Sequence, residues 1–230
     1  MEAQPKCNLI IDSCCDLPFE VIDRPGVQLL EFPYIDEKGE HSDDLYRTIT
    51  PHEFYEGMRA GSQPSTAQVP VTVFHDVFSK AIESGVPTVY LSFTSGLSGS
   101  FNTAVMMRDQ LIAEHPEAEL YVVDTYLASV AEALLVYEAL NQRDNGMTAR
   151  ELAAWAEEAR YFVDAEFMVD DLESLRRGGR IPSTVAYAGA KLDVKPLLNI
   201  SIEGKLALTG VARGRKKGIR QLAEYCSKRM

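Results

Sequence analysis

The chain has 230 residues, 46% of them hydrophobic and 25% charged, with a formal net charge of −11. That composition fits a globular protein with one large core or two smaller ones, and its acidic balance argues against nucleic acid or an anionic membrane surface as partner. No charge-free apolar run is long enough to cross a membrane, since the richest stretch, Ala131–Leu140, carries Glu132 and Glu138.

In chain order, Cys7–Asp12 is a short apolar run that stops at Asp-Ser. It predicts a buried first strand with polar residues at its C-terminal end, where ligands sit in α/β sheets. Asp12, Ser13 and Asp16 have two readings: turn and cap chemistry before a helix at Pro18–Ile22, or the rim of a site. Val27–Phe32 predicts a second strand. Tyr34–Arg47 is acidic and turn-rich and predicts an exposed excursion. Asp43 and Asp44 within it lack a third ligand in sequence, so a solvated loop is favoured over a metal site. Thr50-Pro51 with Glu53 spells a capping box with proline at N1, opening a helix over Thr50–Met58. Ala60–Pro70 has no apolar periodicity and carries Ser62-Gln63-Pro64-Ser65. Val71–Ile82 is amphipathic through Val73, Val77, Phe78, Ala81 and Ile82.

Pro87–Ala104 is the most informative stretch. Its β-branched and aromatic start predicts a buried strand. Thr94-Ser95-Gly96-Leu97-Ser98-Gly99-Ser100 is a turn of small and hydroxyl residues, and a helix follows with Phe101, Ala104, Val105 and Arg108 on one side. A strand feeding such a turn and then a helix suits a carboxylate or phosphate, which the hydroxyls and unpaired helix N–H groups can hold. Glycines there admit close backbone approach.

Leu120–Asp124 is a third buried strand, ending in Asp124-Thr125. Leu127–Asn141 predicts an apolar helix closed by Asn145-Gly146, and Thr148 with Glu151 opens another that runs to Tyr161. Three strand–turn–helix units in a row predict a parallel α/β sheet with the three polar turns on one edge. From Phe162 the pattern changes. Glu166–Val169 predicts a strand, Gly178-Gly179 a helix stop, and Thr184–Leu192 a helix. Leu197–Ile202 and Lys205–Thr209 predict a hairpin about Glu203-Gly204, and a basic segment, Arg213–Arg220, leads into a last helix ending at Met230. The expected organisation is an α/β domain over 1–160, carrying the Ser/Thr/Gly loop, and a smaller α+β domain over 161–230.

Elimination narrows the chemistry. Gly96-Leu97-Ser98-Gly99-Ser100 misses the nucleophile elbow by its last residue. None of His41, His52, His75 and His115 lies where a hydrolase base would follow Asp124. No nucleotide phosphate loop is present and no cluster suggests a metal. Cys7, Cys14, Cys15 and Cys226 show neither zinc spacing nor a disulfide framework, which fits a reducing cytoplasm. The first ten residues lack the order of a secretory signal. What remains is binding of an anionic head by hydroxyls and N–H groups. A serine acyl-hydrolase, a small-molecule phosphotransferase or a regulatory module for another carboxylate or phosphate stays open as a rival use of the 94–100 loop.

Five segments in order resemble the DegV family of bacterial fatty-acid-binding proteins. They are Asp12–Pro18, Ser62–Ser65, Thr94–Ser100, Leu172–Ile181 and Lys195–Leu198. The resemblance implies a two-domain α/β protein that holds one long-chain fatty acid between its domains, without catalysis of its own. Ser62, Thr94 and Ser95 would bind the carboxylate, and Gly96, Ser98 and Gly99 would close the loop. The acyl chain would run into an apolar tunnel. The implied partner is an ATP-binding fatty acid kinase subunit that makes an acyl phosphate, with Arg176, Arg180 and Arg213 near phosphate or partner. No cofactor is implied beyond the bound fatty acid. Gly61 stands where the family commonly has Thr, and Val130-Ala131 where relatives usually have a glycine. Family chains usually continue past the equivalent of Met230, so the second domain is expected to be incomplete.

Overall fold

Alternation in the first strand, Leu9-Ile10-Ile11, sends successive side chains to opposite faces of a sheet, and the structure buries both faces. The structure, a computed structural model, describes residues 5–170, 172–181 and 194–229. The chain folds as two compact units, Met1–Val163 and Asp164–Met230.

The first unit is built on a four-stranded parallel sheet of β1 (Asn8–Asp12), β2 (Val27–Leu30), β6 (Thr88–Ser92) and β7 (Leu120–Asp124). The spatial order is β2-β1-β6-β7, with all three pairings parallel. Leu9, Ile11, Val89, Leu91 and Val123 pack under α5 (Ser129–Asp144) and α6 (Ala149–Ala159). Ile10, Tyr90 and Leu120 pack against Phe74 and Phe78 of α3 (Val71–Glu83), and Ala104, Met107 and Leu111 of α4 (Ser100–Glu114). Each large apolar side chain fully withdrawn from water contributes roughly 1.5–3 kcal/mol before ordering costs, so the two layers hold the sheet from both sides. The predicted parallel sheet is what forms.

Several local expectations differ in detail. The 34–47 excursion is a hairpin of β3 (Pro33–Asp36) and β4 (Gly39–Ser42), and Ser65–Thr66 (β5) adds to it as a third strand. Asp44 and Leu45 beyond the hairpin are buried. The excursion stays largely exposed, as expected; what local composition does not reveal is its pairing with a segment some 30 residues on. On α4 the buried face is Ala104, Met107 and Leu111, while Val105 and Arg108 are only partly covered. On α3 the sequence reading missed Phe74, which is wholly buried. Both capping boxes form, Thr50 with Glu53 at α2 (Pro51–Arg59) and Thr148 with Glu151 at α6. The predicted helix at Pro18–Ile22 is α1, Phe19–Ile22, and a 3-10 turn precedes it at Ser13–Cys15.

The second unit holds an antiparallel sheet of β8 (Glu166–Met168), β9 (Val194–Ile200) and β10 (Leu206–Arg213), ordered β10-β9-β8. The predicted hairpin forms about Gly204, whose φ of 73° suits glycine. A register shift between Leu208 and Gly210 carries β10 on to Arg213, beyond the predicted end at Thr209. Leu198 packs with Leu172 and Ile181. The remaining helices are α7 (Glu173–Arg177) and α8 (Arg215–Arg229). The helix expected at Thr184–Leu192 lies outside the described residues.

Candidate functional site

The strand order singles out one edge of the sheet as the candidate position. From β1 the chain steps to β2 on one side, and from β6 to β7 on the other. The order therefore reverses between β1 and β6, and ligands of open α/β sheets lie beyond the strand C-termini at such a switch point. The three polar turns meet there.

The Phe93–Ser100 loop is suspended from the strands on both flanks. On the β1 side, Asp12 Oδ2 accepts from the Phe93 N–H at 2.7 Å and the Tyr90 hydroxyl at 2.9 Å, while Oδ1 accepts from the Cys14 N–H at 3.1 Å. On the β7 side, Asp124 Oδ1 accepts from the N–H groups of Ser95 at 3.1 Å and Tyr126 at 3.0 Å. Thr125 donates its hydroxyl to the Ser92 carbonyl at 2.8 Å. Within the loop, Thr94 Oγ1 accepts from the Gly96 N–H at 3.0 Å. Ser98 donates its hydroxyl to Ser100 Oγ at 3.0 Å, which also accepts from the Val69 N–H at 3.1 Å. Neither Gly96 nor Gly99 has a positive φ. Gly99 is needed for space instead, because a Cβ there would strike the Gln68 amide.

Strain gathers at the same edge. Asp16, Leu45, Tyr46, Tyr126 and Ser129 have φ between 52° and 63° without being glycine. Each costs roughly 1–2 kcal/mol, and Asp16 and Ser129 steady each other by a side-chain hydrogen bond.

The predicted carboxylate ligands occupy three different situations. Ser95 is half-buried and its hydroxyl has no hydrogen-bond partner among the described residues. Thr94 is wholly buried and its hydroxyl oxygen shapes the loop. Ser62 donates to Glu37 Oε2 at 2.7 Å, and the Gln63 N–H donates to Oε1 of the same carboxylate at 3.0 Å. Those two donors hold the Glu37 carboxyl below its ordinary range. An internal carboxylate thus occupies the Ser62 donors. In the second unit, Arg176 is bound by Glu173 at 2.6 and 2.8 Å. Arg180 donates to the Gly178 carbonyl at 2.6 Å, and Arg213 is exposed at the end of β10.

Two residues escaped the sequence reading. Arg160 donates to the Asp124 carbonyl and lies over the rings of Tyr126 at 4.2 Å and Tyr161 at 5.0 Å. It sets a cation beside the loop's β7 anchor, and nothing in its sequence context marks that. Glu132, in the first turn of α5, is wholly buried, and neither carboxylate oxygen has a hydrogen-bond partner among the described residues. Burial, with the nearby Asp12, Asp16 and Asp124 charges, pushes its pKa well up. Burial also raises Asp12 to about 7, partly offset by its three donors.

Among the described residues no histidine stands by the loop as a general base of the hydrolase kind. His41 bonds to Asp36 at 2.8 Å, and His52, His75 and His115 are exposed. Among the described residues no group of His, Cys, Asp or Glu can hold a metal ion, and no helix is long and apolar enough to cross a membrane.

Several solved structures that share this fold are described as fatty-acid-binding proteins. A DegV domain-containing protein of Clostridium perfringens is 34% identical over 98% of this chain and 77% of its own length. Another, from Lactococcus lactis, is 38% identical over 73% of this chain and 58% of its own length. A stearic acid-binding protein of Eubacterium ventriosum superposes with a TM-score of 0.85 at 26% identity, over 96% of this chain and 76% of that one. The Streptococcus pneumoniae fatty acid kinase B3 protein, solved with linoleic acid, shares the fold at a TM-score of 0.82 and 20% identity, over 97% of this chain and 78% of that one. The sequence model of the family described as "Uncharacterised protein, DegV family" matches residues 6–230. A match over that span, together with the curated relatives, establishes that the chain belongs to the DegV family.

Proposed function

We propose that this chain binds a long-chain fatty acid without covalent attachment, its carboxylate held at the Ser95 loop and its acyl chain in an apolar tunnel. The observation that carries the proposal is the Ser95 hydroxyl, without a partner among the described residues, on a loop anchored at the sheet's switch point. A carboxylate leaving water needs several donors. Ser95 supplies one directly, and Thr94, Gly96, Ser98 and Gly99 set the loop that presents it. The fatty acids held by family members with solved structures support the same ligand class.

We further propose that the chain is a carrier and does no chemistry alone. A partner ATP-binding subunit would phosphorylate the bound carboxylate, with Arg176, Arg180 and Arg213 facing phosphate or partner. The fold shared with the pneumococcal fatty acid kinase B3 protein supports this, as does the absence of a Ser–His pair at the loop among the described residues.

Ser95→Ala is expected to lower fatty-acid affinity about tenfold or more, the effect of losing a hydrogen bond to a charged group. Its thermal midpoint should stay near wild type, because the hydroxyl bonds to nothing else among the described residues. Native mass spectrometry of purified protein and titration with oleate read both. An unchanged oleate affinity would reject the head-group assignment. Glu37→Ala probes Ser62 from the other side. Freeing the Ser62 hydroxyl and Gln63 N–H should tighten oleate binding about threefold. An equal or weaker affinity would remove Ser62 from the carboxylate site.

A further inference from the structure

Beneath the loop lies a buried acid that no binding role explains. Glu132 is wholly withdrawn from solvent and receives no hydrogen bond among the described residues. Asp12, equally buried, receives three. A carboxylate without donors in a dry site is the more costly ion by several kcal/mol. Of the two, Glu132 is therefore the one that keeps its proton, and Asp12 the one the donors favour as an anion.

We infer that Glu132 is a neutral acid at physiological pH, and that a carboxylate ligand arriving at the Ser95 loop draws a second proton onto Asp12, so that the site takes its ligand together with a proton. The ligand half of this inference rests on the function proposed above; the proton on Glu132 does not.

The acidic groups facing the pair all act in one direction, against the three donors to Asp12. Asp16 lies in the turn after β1, Asp124 at the end of β7, and Asp43 beyond β4, and their charges oppose a further ionisation. Cys14 and Cys15 are pushed up by burial, and so is the Tyr90 phenol, which leaves all three neutral. A ligand carboxylate on the loop whose Phe93 N–H bonds to Asp12 adds one more negative charge. It raises the proton affinity of Asp12 from a starting point of about 7. The proton comes from solvent. No bond of the ligand is made or broken.

The sign follows from linkage. Both folded values lie above the ordinary carboxyl values of about 4. Above about 4 these two groups bind more protons folded than unfolded, so the part of the stability they carry falls as pH rises, for Asp12 through about 7. For the same reason ligand affinity falls above neutrality, by up to about tenfold per pH unit for one proton.

Infrared titration of the full chain in heavy water, from pH 5 to 9, reads the protons without any ligand. Wild type should keep a protonated-carboxyl band at pH 8 that Glu132→Gln lacks, and a second band should disappear near pH 7 and be missing in Asp12→Asn. A wild-type spectrum with no protonated carboxyl above pH 6 overturns the inference, and needs no variant to fold. Oleate titrations of wild type and Asp12→Asn then test the linkage, because the ligand's own ionisation cancels in the comparison. Wild type should lose up to about tenfold more affinity per pH unit above 7 than the variant. Equal pH dependence rejects proton-coupled binding and leaves the fatty-acid reading standing. Absence of oleate binding at every pH rejects that reading and the ligand half with it.

Discussion

Replacing Asp124 with alanine is expected to detach the β7 side of the loop, lower stability by about 2–4 kcal/mol and abolish lipid retention. Asp124 is 5% exposed, and its Oδ1 receives both the Ser95 and Tyr126 N–H groups. Removing the carboxylate leaves two donors with nothing to bond, at about 1–3 kcal/mol each where water does not reach them. The Tyr126 bond is also the Asx turn that steadies a non-glycine residue at φ 55°. Asp124→Asn keeps an acceptor oxygen, so it should lose less of both properties. Urea denaturation gives the stability, and mass spectrometry of the co-purified lipid gives retention. An alanine variant that retains lipid and wild-type stability would show that Asp124 does not hold the loop.

Arg143→Ala is expected to be the most destabilising of the substitutions considered, by about 3–5 kcal/mol, through a mechanism far from the ligand. The Arg143 side chain is only 3% exposed. Its Nε donates to the Cys7 carbonyl at 2.8 Å, Nη2 to the Pro25 carbonyl at 2.5 Å and Nη1 to Asp144 at 2.9 Å. It thus ties α5 to the start of β1 and to the turn before β2. Gly26 lies against it with φ 74°, and a Cβ there would sit 2.5 Å from Nη2. Truncation leaves the buried Cys7 carbonyl unpaired, opens the Pro25 carbonyl of an exposed turn to water and leaves an empty channel. Because Asp12 sits at the far end of β1, lipid retention should fall in parallel with stability and recover when stability is restored by low temperature. A loss below about 1 kcal/mol in urea denaturation would show that water replaces the guanidinium without penalty.

Much of the fold is written locally. Leu120–Asp124 ends at the aspartate that stops its apolar run, and both capping boxes form at the threonine that the spacing picks out. Strands, caps and glycine turns depend on a few neighbouring residues, so they can be read along the chain. The pairing of the 34–47 hairpin cannot, because its third strand comes from Ser65-Thr66; its exposure, which composition does foretell, says nothing of that partner. The Glu132 environment is likewise invisible in sequence. An acidic residue in the first turn of a helix is ordinary dipole chemistry until the sheet edge closes over it.

The sequence by itself determined the three strand-turn units, the parallel sheet they build, the loop at residues 94–100 and the family. The tertiary structure decided which of the expected donors, on that loop and at Ser62, remain open. It buried Thr94, gave the Ser62 hydroxyl to Glu37 and left the Ser95 hydroxyl without a partner among the described residues. The physical reason is range. Apolar periodicity acts over a turn or two of chain, whereas a hydrogen bond is allotted only when segments as distant as Asp12 and Phe93, or Ser95 and Asp124, come within 3 Å or so of each other.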